Sequence, residues 1–158
     1  MILAAIRVLM AIFAGAFSSM PAASQNPGAT PTYGEEVLIS PLEEPFEVGV
    51  QAGGPIKVDQ DLPAPCRGYI ASAPDFDLTY EAANLPLYIY VSSDSDTTLA
   101  VADPEGTWHC SDDDIGLNPV VHIETPPSGV YTIWVGTYRE SGAERAGLFI
   151  SETPPPGY

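Results

Sequence analysis

Two runs of acidic side chains carry the strongest chemical signal in this sequence. The first is Ser92-Ser93-Asp94-Ser95-Asp96; the second is Asp112-Asp113-Asp114, followed by Gly116 and Asn118. Carboxylates gathered this closely repel one another, so a fold that brings them together needs a compensating cation or abundant water. Calcium is the natural ion for such a place outside cells. It is hard, prefers oxygen, and accepts Asp, Asn and backbone carbonyl ligands from flexible loops. The candidate ligands are therefore Asp94, Asp96, Asp112, Asp113, Asp114 and Asn118. The spacing is not that of an EF-hand: Asp94-Ser95-Asp96 begins like one, but the third acidic position, the following Gly and the distant Glu are missing. The competing reading is two solvated acidic loops.

Other chemistry is weaker. A Ser/His/Asp triad needs a placed histidine, and the two histidines carry no signature: His109 flanks Cys110, and His122 stands in a strand-like run. No serine sits in G-x-S-x-G, and no phosphate-binding loop is present. Carboxylate pairs can cleave glycosides, but nothing in the sequence singles out a raised-pKa acid. The expectation is a non-catalytic protein, with a hydrolase using the loop carboxylates as one alternative. Aromatic residues offer another: Tyr88, Tyr90, Trp108, Trp134 and Tyr138 are candidates for stacking on a ligand such as a sugar, against the plainer reading that they fill a core. The two cysteines, Cys66 and Cys110, suggest a disulfide if the protein is exported.

The elements that must position these residues read as strands. Period-two alternation starts at Phe46, with Val48 and Val50 on one face. It returns at Phe76-Leu78-Tyr80, at Leu85-Leu87-Ile89-Val91, at Leu99-Val101, at Tyr131-Ile133-Val135 and at Leu148-Ile150. Turn signals separate the runs: Gly53-Gly54-Pro55, Pro74-Asp75, Asp103-Pro104-Glu105-Gly106, Pro126-Pro127-Ser128-Gly129 and Ser141-Gly142. Short strands at this spacing, with no helical periodicity after the N-terminus, predict an all-β, antiparallel, jelly-roll-like β-sandwich. One apolar face needs another to pack on, and without helices that partner is a second sheet.

The domain plan follows. Residues 1–24 read as a signal peptide: Arg7, then an apolar run from Val8 to Phe17 too short to span a bilayer, then the small residues Ala22 and Ser24 at the cut. Residues 25–45 read as a Pro/Glu-rich arm with a short edge strand at Val37–Ile39, residues 46–152 as the sandwich, and residues 153–158 as a tail. The expected location is periplasmic or secreted. Cleavage removes one of five basic residues and none of the 21 acidic ones, leaving a protein more negative than the −16 of the whole sequence. Such a charge disfavours nucleic acid and anionic membranes as partners. It leaves an unidentified protein or a polysaccharide.

From Cys66 to Glu152 the sequence runs through DTTLAVADPEGTWHC, SDDDIGLNP and SGVYTIWVGTY, and closes with GLFISE. This stretch resembles the bacterial pre-peptidase C-terminal type of domain, most nearly its stand-alone exported variety. The resemblance implies a jelly-roll-like sandwich, no catalysis by the domain itself, and an accessory role beside secreted enzymes. It also implies calcium held by loop residues, which map here to Asp96, Asp112, Asp113 and Asn118, with Asp94 and Asp114 beside them. With no peptidase within these residues, the resemblance leaves two expectations: a partner on a separate polypeptide, or a module that acts alone.

Overall fold

The computed structural model describes residues 24–58, 62–63, 65–140 and 143–158. All but the last residue of the expected signal peptide, and the Ser141-Gly142 turn, lie outside the described residues. The described part is all-β and contains no α-helix. Its strands in order are β1 (Glu35–Ile39), β2 (Phe46–Ala52), β3 (Ile56–Lys57), β4 (Tyr69–Ile70), β5 (Phe76–Glu81), β6 (Leu87–Ser92), β7 (Thr97–Ala102), β8 (Trp108–Ser111), β9 (Val120–Ile123), β10 (Gly129–Thr137) and β11 (Glu144–Ser151).

They form two sheets. The smaller has the order β2-β11-β6-β9, and all its pairs are antiparallel. The larger has seven strands organised around β10, which pairs with β7 along one edge and with β5 and then β4 along the other. β3 extends the sheet beyond β4, and β8 extends it beyond β7. The sheets face each other through the residues that alternate in the sequence. Phe76, Leu78, Tyr80, Leu99, Val101, Tyr131, Ile133 and Val135 of one meet Val50, Leu87, Ile89, Val91, Leu148 and Ile150 of the other. Side chains of neighbouring strand positions point to opposite faces, so a period of two delivers one apolar layer per strand. This is the β-sandwich that the alternation predicts.

Two features depart from the expected pattern. Leu85 lies outside β6 and is partly exposed, so the strand begins two residues later than the alternation indicates. The segment before Phe46 does carry the expected edge strand over Val37–Ile39, but that strand runs parallel to its neighbour, not antiparallel. β1 pairs with β5 in parallel, in register from Glu35 opposite Asp77 to Ile39 opposite Glu81. The larger sheet is therefore mixed, because a strand arriving from outside the hairpin series is free to run in either direction. Past β1 the backbone is pinned by Glu152, whose carboxylate accepts Leu42 N–H at 2.7 Å and Tyr80 O–H at 2.5 Å. Burial pushes the Glu152 pKa up, but these hydrogen bonds outweigh it and hold the group below its usual value.

The larger sheet has a second apolar layer on its outer face. Ile56, Val58, Cys66, Ile70, Ala100 and Trp134 are buried there, with Leu62, Trp108 and Cys110 packed against them. The segment running from β3 to β4 covers this layer through its described residues Val58, Leu62 and Cys66. It is fastened by a disulfide between Cys66 and Cys110, 44 positions apart. Closing a loop of that length stabilises a fold by roughly 4 kcal/mol in the chain-entropy account. β7 is consequently buried on both faces from Thr97 to Val101.

At one point β10 exchanges neighbours. Its pairing with β5 ends at Ile133, and its contact with β4 is at Thr137. Between them, Val135, which is opposite Leu99 of β7 on the other edge, would be left without a ladder partner on this edge. Its N–H donates instead to Asp75 Oδ2 at 2.7 Å, and its C=O accepts Gly53 N–H at 2.9 Å. A buried backbone group without a partner costs about 1–3 kcal/mol, so Asp75 closes a gap that the topology opens. Burial raises its pKa from 3.8 to about 7, partly opposed by the bond from Val135. A group raised in the folded state contributes stability below its unfolded pKa and loses it as pH rises through the folded value. Between about pH 4 and pH 8 the protein should therefore lose up to about 4 kcal/mol through Asp75. In urea titrations across that range, Asp75→Asn should flatten the slope. Equal slopes in the two proteins would show that Asp75 ionises normally.

Candidate functional site

The acidic loops lie at the same end of the sandwich. β6 ends and β7 begins there, and Thr97 of β7 stands opposite Thr137 at the end of β10. The loop after β8 returns to the same place, because β9 begins at Val120 opposite Tyr90 near the end of β6. The antiparallel order thus gathers residues 93–96, 112–119 and 138–140 at one apex.

Asn118 joins the first two of these loops. Its Oδ1 accepts Ser93 N–H at 3.0 Å and Thr97 Oγ1–H at 3.2 Å, and its Nδ2 donates to Ser93 C=O at 3.2 Å. Leu117 C=O accepts Thr97 N–H at 3.1 Å. The Asn118 side chain thus makes three hydrogen bonds and acts as a strut between the loops. Asp114 is committed in a similar way: its Oδ2 accepts from Ser111 Oγ and, at 3.1 Å, from Val120 N–H. Asp112 lies 3.4 Å from Arg67 Nε and accepts Asp113 N–H at 3.0 Å. Asp94 and Asp113 are both exposed at the loop tips.

Asp96 differs from its neighbours. Its Oδ1 is fully covered and has no hydrogen-bond partner, while its backbone C=O accepts Tyr138 N–H at 3.0 Å. Burial raises its pKa. The fields of Asp113 and Asp112 add to the rise, and the Arg139 guanidinium opposes it. The residue opens on a cavity of about 290 Å³ lined by Ser95, Thr137, Arg139 and Glu144. Ser95 Oγ–H donates to Glu144 at 3.0 Å across that space.

The structure therefore brings Asp96, Asp112 and Asp113 within electrostatic reach of one another, and turns Asp114 and Asn118 toward supporting the loops. Among the described residues, no three His, Cys, Asp or Glu side chains converge into a ready-made metal cage. The sequence reading overlooked Glu144, which stands beside Asp96, and the arginines that lean on the acidic loops. Arg67 and Arg139 were legible only as scattered positive charges, since their proximity to Asp112 and Asp96 depends on how strands far apart in sequence are laid side by side.

The aromatic candidates separate by burial. Trp134 has no exposed surface and cannot present a ring to a ligand. It packs with Trp108 at a centroid distance of 5.4 Å in the outer layer, because the β3–β4 segment covers the face that alternation assigns it. Tyr88 is also buried and stacks on His122 at 4.4 Å, with Tyr158 edge-on to both. Tyr90 stacks on Phe149 at 5.0 Å. Tyr138 alone of the five is exposed. His109 Nε2 meets Asp103 Oδ2 at 2.9 Å, and Asp103 also accepts the N–H groups of Glu105 and Thr107. Burial opposes ionisation of Asp103, but these partners prevail and lower its pKa.

No family model matches this sequence, and no curated protein matches it. No helix among the described residues is long and apolar enough to cross a membrane. The disulfide fits an oxidising, non-cytoplasmic compartment.

Asn118→Ala should remove the strut and leave Ser93 N–H short of its acceptor, at a cost of about 2–3 kcal/mol in chemical denaturation. A loss below about 0.5 kcal/mol, the scale of an ordinary surface change, would show that the loops hold together without it.

Proposed function

We propose that this protein is an exported, non-catalytic β-sandwich module, secreted or periplasmic, whose acidic apex takes up a calcium ion and which serves as an accessory to other extracytoplasmic proteins. One observation carries the calcium reading: Asp96 Oδ1 is covered, lacks a hydrogen-bond partner, and sits in the field of Asp112 and Asp113. A buried carboxylate oxygen left in that condition is costly, and a divalent cation relieves both the missing partner and the repulsion. Asp96 with Asp112 and Asp113 would hold the ion, and calcium readily completes its shell with backbone carbonyls and water. Arg139 is the internal competitor, because its charge already offsets part of the same field.

The non-catalytic reading is supported by the fate of the histidines. His109 is engaged with Asp103 and His122 with Tyr88 and Glu124. Among the described residues neither makes a hydrogen bond to a serine or threonine hydroxyl. The resemblance to pre-peptidase C-terminal domains points the same way and supplies the accessory role.

Calcium at a hundredfold excess over Kd should stabilise the protein by about 2.7 kcal/mol, raising Tm by on the order of 10 °C. Chelator should reverse the gain. Asp96→Asn should abolish the calcium-dependent shift yet leave the metal-free Tm unchanged or higher, since it removes a poorly compensated charge. An unchanged Tm at millimolar calcium would remove the metal from this account.

A further inference from the structure

On one flank of the apex lies a groove of about 540 Å³, within the usual range of about 300–1,000 Å³ for small-ligand sites. Its walls carry Lys57, Arg67, Tyr69, Tyr138, Arg139 and Glu140. The whole sequence has five Lys and Arg residues against 21 Asp and Glu. Three of the five meet in this one depression, drawn from β3, from the segment before β4 and from the end of β10. Tyr69 stands opposite both Lys57 and Thr137 in the ladder, which puts it between the two strand ends.

The groove is rigidly built. Cys66 in its wall is tied to β8 by the disulfide. Gly68 forms part of the floor at φ 95°, and a Cβ there would stand 2.7 Å from Thr137 O and from Thr98 Oγ1. Only glycine lets the backbone pass so close at that dihedral. The guanidinium groups are also accessible to a ligand. Arg67 is half exposed, and its contacts to Asp112 and Pro65 both use Nε, leaving the outer edge of the fork. Arg139 is exposed and, among the described residues, makes no ion pair.

We propose that this groove binds an acidic glycan, with sugar carboxylates on Lys57, Arg67 and Arg139 and ring faces against Tyr69 and Tyr138. Guanidinium forks match carboxylates with paired hydrogen bonds, and tyrosine supplies an apolar face with a polar tip. Glu140 on the wall accepts sugar hydroxyls and works against ligands of dense negative charge. The acidic loops next door do the same, and would repel a nucleic acid strand with its charge at every phosphate. At physiological salt, charges beyond about 8 Å are largely screened, so the local cations govern a short, sparsely charged ligand despite the net charge of −16.

The test is isothermal titration of the protein with a uronic-acid oligosaccharide and with its neutral, carboxyl-reduced counterpart. Both run in chelator, so that calcium bridging between the glycan and the acidic loops cannot imitate binding, and the result is independent of the calcium reading. The charged sugar should bind and the neutral one should bind at least about tenfold more weakly, with affinity falling as salt rises. Lys57→Gln and Arg139→Gln should each weaken binding about tenfold, and Tyr138→Ala should weaken it for both sugars. Thermal melts of each variant show that the fold is retained. Absent binding, equal binding of the two sugars, or undiminished binding by both folded cation variants would each overturn the assignment.

Discussion

From Ile133 to Thr137, β10 is buried on both faces, and most of the architecture follows from that requirement. Tyr131, Ile133 and Val135 face the second sheet, and Trp134 faces outward. An exposed indole on the outer face would leave a large apolar surface in water, which favours whatever covers it. The segment from β3 to β4 does so, and the Cys66–Cys110 disulfide holds it in place. Because β10 must serve three neighbours, its ladder is interrupted at Val135, and Asp75 and Gly53 supply the missing partners. A buried carboxylate with a pKa of about 7 is thus a consequence of topology, with no catalytic role required to explain it.

The same arrangement sets the charge balance at the apex. Ending β6, β8 and β10 at one end brings the acidic loops together, and it also brings Arg67 and Arg139 beside them. Repulsion among the carboxylates is therefore met in part by the protein's own cations. Asp112 has an arginine at 3.4 Å, whereas Asp96 keeps an unpartnered oxygen. That difference makes Asp96 the member of the cluster on which a bound cation would have the largest effect. Asn118 and Asp114 stabilise the loops through hydrogen bonds to hydroxyl and backbone groups, which do not require an ion to be present.

On the other side of Arg139 the balance reverses, and the basic groove gathers positive side chains instead. Its base rests on the outer apolar layer, so the segment that hides Trp134 also positions Lys57, Cys66 and Arg67. Packing and binding surface are here two faces of one covering loop. The tyrosines that line this groove sit at or just past strand ends, while Tyr80, Tyr88 and Tyr131, within strands, are buried.

Alternation in the sequence was enough to determine the sandwich, the inward residues of β2, β5, β7, β10 and β11, and the loops that carry the acidic runs, because period-two patterning is a local property of each strand. The oxidised cysteine pair was legible from an even count in a sequence that reads as exported. Tertiary structure alone decided the rest. The parallel docking of β1, the burial of Trp134, the partner change at Val135 and the meeting of Arg67 with Asp112 all join residues distant in sequence. Their positions depend on which strand edges pair and which faces are covered, and neither is written in the spacing of any single segment.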